Sequence, residues 1–310
     1  MILTITLNTS IDRRFVTSGA KQGEVNRVLE CTYTAGGKGL NVSRILKLSG
    51  EKLLAGGLAG GYAGKYIEAE LDNMQIPYNF YHVAGESRSC INIWDKETKQ
   101  QTEYLEPGFV VTQEEAEGFR THFQAQIQDA DILTISGSVP KGIDTDFYRD
   151  LIAAAKGCGK KVILDTSGEL LVSGIQAKPT VIKPNIDEIR TLTGRKCEDL
   201  DQIIDAAEML HSDGVEYVVI SLGGKGSVMK STDGVYQTII PEIKTVNTVG
   251  CGDSMVAGLA IGLKRDYSSE ELLKQAAAIA TAAAMSEGTG YYEQNNMKQI
   301  YDQIMIRKLR

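Results

Sequence analysis

Short apolar segments rich in β-branched residues recur along this 310-residue chain and alternate with segments of helical periodicity. Six of them predict strands, at residues 2–7, 53–58, 131–136, 161–165, 180–183 and 217–222. The runs at 132–135 and 218–220 are almost wholly apolar, which is typical of strands covered by helices on both faces. The chain is therefore predicted to be an α/β protein with a mainly parallel sheet.

Helical spacing is clear at 40–48, 147–156, 203–210 and 272–285. Two stretches break the alternation: residues 88–108 read as a β-hairpin around a polar turn, and residues 13–34 alternate without a helix. We expect these two segments to form a small β-sheet lid. Because a two-stranded ribbon is marginal alone, a ligand or a second subunit would cover it. No linker interrupts the chain, so residues 1–310 are expected to form a single domain.

The composition narrows the class of ligand. A hydrophobic content of 42% suits a large core, and a net charge of −7 without a basic run argues against nucleic acid and anionic membranes. Five scattered cysteines without a Cys-x-x-Cys pair indicate free thiols in a reducing compartment. The opening residues lack a signal-peptide pattern and no apolar run reaches bilayer length, so we expect a cytoplasmic protein.

A glycine turn at 248–254 runs directly into an apolar helical segment. Such a turn aims free amides and the positive end of the helix dipole at one point, which favours an anion. Asp253 would repel a phosphate there, but it has the chemistry to remove a proton from an attacking hydroxyl. The pattern indicates phosphoryl transfer. A tight loop with an N-cap is the alternative that this segment alone leaves open.

A second glycine turn, at 35–44, precedes a helix in the same way. Gly36, Gly37 and Asn41 would let an acceptor lie against the backbone, and Lys38 would supply charge. Asp12 follows the first strand and is suited to accept hydrogen bonds from sugar hydroxyls, although a surface turn is the commoner setting for an aspartate.

Two arginines favour a phosphorylated acceptor. The guanidinium forks of Arg27 and Arg88 match phosphate geometry, and both residues fall in segments expected beside the site, as does Ser138. For either arginine alone, a solvated surface position remains the alternative.

Residues 183–188 follow a short strand and place an amide, Asn185, and a carboxylate, Glu188, one helical turn apart. These oxygen donors suit Mg²⁺ held through waters, whereas a helix-capping pair is the alternative. The loop at 221–227 has glycines that permit close approach of a nucleotide. Its order of Gly, Lys and Ser differs from a Walker A loop, and it is also compatible with a hairpin turn.

Taken together, these segments resemble the ribokinase-like (PfkB) carbohydrate kinases, and the phosphosugar branch of that family most closely. The ordered matches extend over essentially the whole chain, at residues 7–12, 25–27, 36–41, 87–88, 136–138, 165–168, 183–188, 221–223 and 248–254. The resemblance implies a three-layer α/β/α fold with a small β-sheet lid. It also implies ATP- and Mg²⁺-dependent phosphorylation of a ketohexose monophosphate to a 1,6-bisphosphate, as in 1-phosphofructokinases and tagatose-6-phosphate kinases.

The resemblance also implies residue roles. Asp253 would be the general base, and Gly250, Cys251 and Gly252 would form the anion hole. Asn185 and Glu188 would hold the metal through waters. The implied ATP site comprises Lys183, Asn185, Ser221, Gly223, Gly226 and Thr248. The implied sugar-phosphate site comprises Asp12, Arg27, Gly36, Gly37, Lys38, Asn41, Arg88 and Ser138. The lid would make a homodimer.

Some questions stay open in the sequence. Asn247 stands where many free-sugar kinases have aspartate, which weakens the argument for K⁺ near 288–290, so the K⁺ requirement is undecided. A kinase of free sugars or nucleosides, or a non-catalytic sugar-phosphate sensor, shares the expected fold. Fructose 1-phosphate, tagatose 6-phosphate and fructose 6-phosphate are not separated.

Overall fold

The computed structural model describes all 310 residues and contains two β-sheets. The strands are β1 (Ile2–Thr6), β2 (Ser10–Thr17), β3 (Glu30–Gly36), β4 (Leu53–Gly60), β5 (Tyr78–Val83), β6 (Arg88–Asp95), β7 (Gln100–Leu105), β8 (Ile132–Ser136), β9 (Lys161–Asp165), β10 (Val181–Ile182), β11 (Tyr217–Ser221), β12 (Ser227–Ser231), β13 (Gly234–Ile239) and β14 (Met305–Lys308). The helices are α1 (Lys38–Leu48), α2 (Gly61–Asn73), α3 (Gln113–Gln126), α4 (Phe147–Gly157), α5 (Gly168–Ile175), α6 (Ile186–Thr193), α7 (Leu200–Ser212), α8 (Cys251–Lys264), α9 (Ser269–Ala284) and α10 (Gln294–Gln303). No helix is both long enough and apolar enough to cross a membrane.

The large sheet has ten strands in the order β14-β13-β12-β11-β10-β9-β8-β1-β4-β5. Every neighbouring pair from β11 to β5 is parallel, and the three pairs that add β12, β13 and β14 are antiparallel. The predicted mainly parallel sheet is confirmed. All six predicted strands lie in it, and their observed ends differ from the predicted ends by no more than two residues.

Helices cover both faces of this sheet. One core joins it to α1, α2, α8, α9 and α10, and a second core joins it to α3 through α7. Adjacent strand residues enter different cores, because side chains alternate along a strand. Ile132 and Val219 lie in the first core, while Leu133 and Val218 lie in the second. The apolar character of these strands therefore follows from burial on two faces, and the three-layer α/β/α architecture is confirmed.

The small sheet has four strands in the order β3-β2-β6-β7. It contains the predicted hairpin, as β6 and β7, and the segment predicted to alternate without a helix, as β2 and β3. The central pair, β2 and β6, is parallel and aligns Asp12 with Cys90. The separate small sheet is thus confirmed. Its strand β3 ends at Gly36, so the chain passes from the small sheet directly into α1, which begins at Lys38.

Helices α8 and α9 cross closely because Gly258 has no side chain. A Cβ at Gly258 would stand 2.5 Å from the Cα of Ala276 in α9. The contact is between two backbones, so rotation of a side chain cannot relieve it.

We expect Gly258→Ala to lower the free energy of unfolding by about 1–3 kcal/mol through overpacking, despite the better helix propensity of alanine. Gly157→Ala in α4 is the matched control, because its Cβ would meet nothing within 4 Å. That variant should be neutral or stabilised by up to about 1 kcal/mol. Urea denaturation compares them, and equal stabilities for the two variants would contradict the packing argument.

Candidate active site

The carboxyl ends of the parallel strands meet at one edge of the large sheet, where ligands bind in open α/β folds. Asp165 is the last residue of β9, Lys183 follows β10 directly, and Ser221 ends β11. The N-termini of α1 and α8 lie at the same place, since Asn41 of α1 contacts Asp253 of α8. The topology thus gathers residues from distant parts of the sequence.

The glycine turn before α8 is held in a left-handed conformation. Gly250 has φ of 79°, and a Cβ there would stand 2.6 Å from the Cγ2 of Thr289. The amide of Ser254 donates to the Gly250 carbonyl at 2.9 Å, and the amide of Cys251 turns towards the Thr248 carbonyl at 3.3 Å. The next amides, those of Gly252 and Asp253, have no acceptor within the helix by its geometry. Phosphate oxygens are the natural partners of such amides.

Asp253 is the third residue of α8 and its side chain is buried, with 5% of the residue exposed. Burial raises the pKa of Asp253 to about 6, and the neighbouring Asp165 charge adds to the rise, while Lys38 and Asn41 oppose it. One carboxylate oxygen, Oδ2, accepts a hydrogen bond of 2.7 Å from the Asn41 side-chain amide. Asp253 is therefore mostly ionised at neutral pH but is a better base than an exposed aspartate.

Asp165 binds two lysines in the interior of the site. Its Oδ1 lies 3.2 Å from the Lys183 ammonium and its Oδ2 lies 3.4 Å from the Lys38 ammonium. Burial alone would raise the pKa of Asp165, but the two ammonium groups outweigh it and lower that pKa. The Asp165 charge in turn raises the pKa of Lys38 against the effect of burial. Lys38 therefore stays charged near the Asp253 carboxylate.

Backbone geometry fixes the start of α1. Gly37 caps this helix with φ of 105°, and a Cβ there would stand 2.8 Å from Thr6. A Cβ at Gly36 would overlap the Asp12 carboxylate, at 2.1 Å from its Cγ. Burial raises the pKa of Asp12, and a hydrogen bond from Ser10 opposes the rise. These two glycines therefore place Asp12 beside the helix that carries Lys38 and Asn41.

Arg88 and Ser138 both contact Asn8, which follows β1. Arg88 donates from Nε to the Asn8 carbonyl at 3.3 Å and from NH1 to the Glu106 carbonyl at 3.1 Å. The Asn8 amide donates to the Ser138 hydroxyl at 3.2 Å. Arg88 also acts electrostatically on Asp12. The structure thus brings together Asp12, Arg88 and Ser138 from three separate segments.

Five of the six residues predicted to bind ATP lie at or shortly after the ends of β10 and β11, and Thr248 lies in the loop before α8. Lys183 lies so close to α8 that a Cβ at Gly252 would stand 3.3 Å from its ammonium. Ser221 donates its amide to the Pro184 carbonyl at 3.0 Å, which joins the two strand ends. A Cβ at Gly223 would meet nothing within 4 Å, whereas Gly226 is packed against Thr238. Gly223 therefore borders open space, Thr248 is exposed, and Gly226 has a structural reason to be glycine.

Asn185 and Glu188 form a reciprocal capping box at the start of α6. The Glu188 amide donates to Asn185 Oδ1 at 2.8 Å, and the Asn185 amide donates to Glu188 Oε2 at 2.9 Å. The capping alternative is thus realised. No group of three or more His, Cys, Asp or Glu residues converges as a metal cage. One carboxylate and one amide fit a hydrated Mg²⁺ that arrives with ATP, since Mg²⁺ keeps most of its waters.

Arg27 is not brought to the site within one chain. It lies in the exposed loop between β2 and β3 and makes no hydrogen bond or ion pair. The strand register pairs Ser10 with Gly36 near the site and Val16 with Glu30 at the other end. The loop leaves the sheet beyond Val16 and Glu30, at the end away from Asp12.

Asn247 lies beside residues 288–290, the segment at which a K⁺ site was left undecided. Its side-chain amide donates to the Glu287 carbonyl at 3.0 Å, and its Oδ1 accepts from the Val249 amide at 3.0 Å. The Cys251 thiol donates to the Asn247 carbonyl at 3.7 Å, and burial with the nearby Asp253 raises the pKa of Cys251 to about 11. The thiol is thus protonated and has no acid–base role at neutral pH.

Three polar residues of the site were missed by sequence reasoning: Asn8, Arg44 and Asp165. Each lies inside a segment that was noticed, at 7–12, 35–44 and 165–168. The position of Asp165 at the end of a predicted strand was the available signal, because ligand sites gather there. No local signal marked Arg44, whose NH2 group donates to Asn41 Oδ1.

A buried carboxylate at a helix N-terminus, next to two lysines and a glycine-bordered opening, defines a phosphotransferase site on an α/β/α fold. Comparison with known proteins agrees. The pfkB family carbohydrate kinase profile matches residues 4–296. A tagatose-6-phosphate kinase from Staphylococcus epidermidis is 41% identical over 311 residues, with 99% of each chain covered.

Solved structures show the same fold. Phosphofructokinase-2 from Escherichia coli, in complex with potassium, matches with a TM-score of 0.91 at 28% identity over 97% of this chain and 98% of that one. A possible 1-phosphofructokinase from Thermotoga maritima matches with a TM-score of 0.91 at 28% identity over 100% of both chains. The chain belongs to the pfkB family of carbohydrate kinases. It is a phosphotransferase with an alcohol group as acceptor, and the expected ribokinase-like fold is confirmed.

The buried position of Asp165 generates a stability prediction. Asp165→Asn would leave two lysines without their buried counter-ion and should lower the free energy of unfolding by about 3–5 kcal/mol. Asp150→Asn is the matched control, because Asp150 also pairs with two cations, Arg120 and Arg149, but its side chain is 38% exposed. That change should cost about 1 kcal/mol or less. Urea denaturation measures both, and a similar loss in the two variants would disprove the role of Asp165.

Proposed function

We propose that this chain transfers the γ-phosphoryl group of ATP to a hydroxyl group of a ketohexose monophosphate and produces a ketohexose 1,6-bisphosphate. The observation that carries the proposal is the buried Asp253 at the N-terminus of α8, hydrogen-bonded by Asn41 and flanked by Lys38 and Lys183. Tagatose 6-phosphate is the first candidate acceptor because a full-length relative at 41% identity is named a tagatose-6-phosphate kinase. Fructose 1-phosphate is the second, from the name of a relative at 28% identity.

Asp253 acts as the general base in this proposal. Its Oδ2 is held by Asn41, so its Oδ1 accepts the proton of the acceptor hydroxyl. The acceptor oxygen then forms a bond to the γ-phosphorus while the bond from phosphorus to the ADP oxygen breaks. The raised pKa suits this task, because a carboxylate with a pKa about 6 is ionised at neutral pH and holds a proton more readily than an ordinary aspartate.

Amides and cations that are already in place stabilise the negative charge that develops on the transferred phosphoryl group. The amides of Gly252 and Asp253 point out of the helix N-terminus, and the Lys183 ammonium approaches Gly252. Lys38, which pairs with Asp165 in the same cluster, is assigned to the acceptor. Asn185 and Glu188 would hold Mg²⁺ through waters, and Mg²⁺ bound with ATP neutralises phosphate charge.

The acceptor site fits a sugar that already carries a phosphate. Asp12 has acceptor oxygens for sugar hydroxyls, and Arg88 uses two of its five N–H groups on backbone carbonyls and keeps three for a ligand. An acidic protein gains nothing from cations at a neutral-sugar site. A kinase of free sugars on the same fold is the alternative that the substrate experiment tests.

A homodimer through the small sheet belongs to the same proposal. Tyr33, Tyr104 and Leu105 of this sheet are exposed, as are Val25 and Leu29 of the β2–β3 loop that carries Arg27. Pairing of two small sheets would cover these side chains. Arg27 lies in a loop at the far end of the small sheet from Asp12, so in this proposal it reaches a sugar phosphate bound to the second chain. A solution mass of a single chain at assay concentration would contradict the dimer.

The base assignment predicts two effects. Asp253→Asn should lower kcat by about a hundredfold or more with nearly unchanged ATP binding, because only proton transfer is lost. In the wild type, kcat/KM should fall about tenfold per unit as the pH decreases below about 6, where Asp253 becomes protonated. Steady-state kinetics from pH 5 to 8.5 measures both effects. Wild-type turnover in the variant would remove Asp253 from this role.

The substrate assignment is tested by kcat/KM for tagatose 6-phosphate, fructose 1-phosphate, fructose 6-phosphate and the free hexoses. A phosphorylated ketohexose should be preferred. Arg88→Ala should cost the phosphosugar roughly 2–4 kcal/mol in kcat/KM through loss of a charge-assisted contact, with little change for ATP. The unphosphorylated parent sugar is the control. Preference of the wild type for the free sugar, or an equal cost of Arg88→Ala for both, would favour the alternative kinase.

A further inference from the structure

Arg44 is a charged residue beside the site for which phosphoryl transfer gives no direct task. It lies on α1, one turn after Asn41, and burial lowers the pKa of its guanidinium. One terminal nitrogen donates to the Ala35 carbonyl and the other donates to Asn41 Oδ1. Its Nε is sealed from solvent and has no hydrogen-bond partner. Only the two terminal nitrogens of the guanidinium thus have a hydrogen-bond acceptor.

The contact between Arg44 and Asn41 determines how the Asn41 amide is oriented. A guanidinium has donors only, so the amide must present its oxygen to Arg44 and its NH2 group to the opposite side. On that side the NH2 group donates to Asp253 Oδ2 at 2.7 Å. The two hydrogen bonds from Arg44 to Asn41 and from Asn41 to Asp253 allow only one assignment of donors and acceptors. In that assignment, Oδ2 of Asp253 carries no proton.

We propose that Arg44 is a positioning residue, which orients the Asn41 amide so that it holds Oδ2 of Asp253 unprotonated and leaves Oδ1 for the acceptor hydroxyl. This inference rests on the proposed role of Asp253 as the base. Arg44 reaches Asp253 through Asn41 and is not assigned any contact with substrate.

The packing around Arg44 keeps the guanidinium in this position. A Cβ at Gly290 would stand 2.7 Å from Arg44 Nε, so the 288–290 segment closes over it. A Cβ at Gly250 would stand 3.8 Å from the Asn41 amide nitrogen. The turn before α8 therefore packs beside Asn41, and the 288–290 segment packs against Arg44.

Removal of Arg44 should favour the protonated form of Asp253. Without the guanidinium, the amide is free to rotate and present its oxygen to a protonated carboxyl, and the positive charge of Arg44 is lost as well. Both effects raise the pKa of Asp253. The other charged or titratable groups that act on Asp253 stay in place: Lys38 on α1, Asp165 on β9, Lys183 after β10 and Cys251 on α8.

The experiment is the pH profile of kcat/KM for the wild type, Arg44→Met and Arg44→Gln, because kcat/KM reports groups of the free enzyme. The acid limb of both variants should move to higher pH by about one unit, so that kcat/KM falls about fivefold at pH 6 and less than about twofold at pH 8.5. Arg120→Met removes a half-buried, ion-paired arginine outside the site and should keep the wild-type midpoint. A wild-type midpoint in either folded variant, or a loss of kcat/KM that is equal at all pH values, would overturn the proposal.

Two further measurements distinguish a failure of the Arg44 proposal from a folding defect and from an error in the base assignment. If Arg44→Met does not fold, Arg44→Gln decides alone, because it also lacks the charge but keeps a polar, shorter side chain. A double-mutant cycle adds Asn41→Leu: once Asn41 is gone, Arg44→Gln should shift the midpoint by less than half of its effect in the wild type, and a full shift would contradict transmission through the amide. The acid limb of the wild-type pH profile, and its loss in Asp253→Asn, test the base assignment independently.

Discussion

The charge cluster of Asp165, Asp253, Lys38 and Lys183 is the interaction on which the rest of the site depends. Asp165, Asp253 and Lys183 are buried, whereas the Lys38 side chain is 42% exposed. The buried charges are tolerated because each carboxylate has an opposite charge or a hydrogen-bond donor beside it. The cluster joins β9, the end of β10, and the first turns of α1 and α8. Two glycine turns make this approach possible, because side chains at Gly37 and Gly250 would collide with Thr6 and Thr289.

The balance of charge in this cluster connects structure with chemistry. Above the pKa of Asp253, two carboxylates offset two ammonium groups. In the proposed function, phosphate groups bring negative charge to Lys38 and Lys183, and the acceptor hydroxyl brings a proton to Asp253. The same burial that raises the pKa of Asp253 thus gives the lysines strong interactions with phosphate. Arg44 acts on this balance from outside the cluster, through the amide of Asn41.

The sequence predicted the architecture well because burial on two faces leaves a clear mark on a strand. The six predicted strands are the interior of the large sheet, whereas β5 and β14 lie at its edges and β12 and β13 form an antiparallel hairpin with polar positions. Those four were not predicted.

In the site, the glycine turns at 35–44 and 248–254 allowed Lys38, Asn41 and Asp253 to be predicted from the local sequence pattern. Asp165 and Arg44 were missed because their roles depend on contacts between segments far apart in sequence. Arg27 was expected at the site, but no local pattern could show that its loop leaves the small sheet at the other end.

The most direct test of this account is a titration of the Asp253 carboxyl itself. Protein labelled with ¹³C at aspartate carboxyl carbons is followed by NMR against pH, and the Asp253 signal is assigned by its absence in Asp253→Asn. A midpoint near pH 6 is expected, because burial and the Asp165 charge raise the pKa of Asp253 to about 6. A midpoint close to the ordinary aspartate value of 3.8 would contradict it, because Asp253 would then be a solvated side chain and not the base of a buried phosphoryl-transfer site.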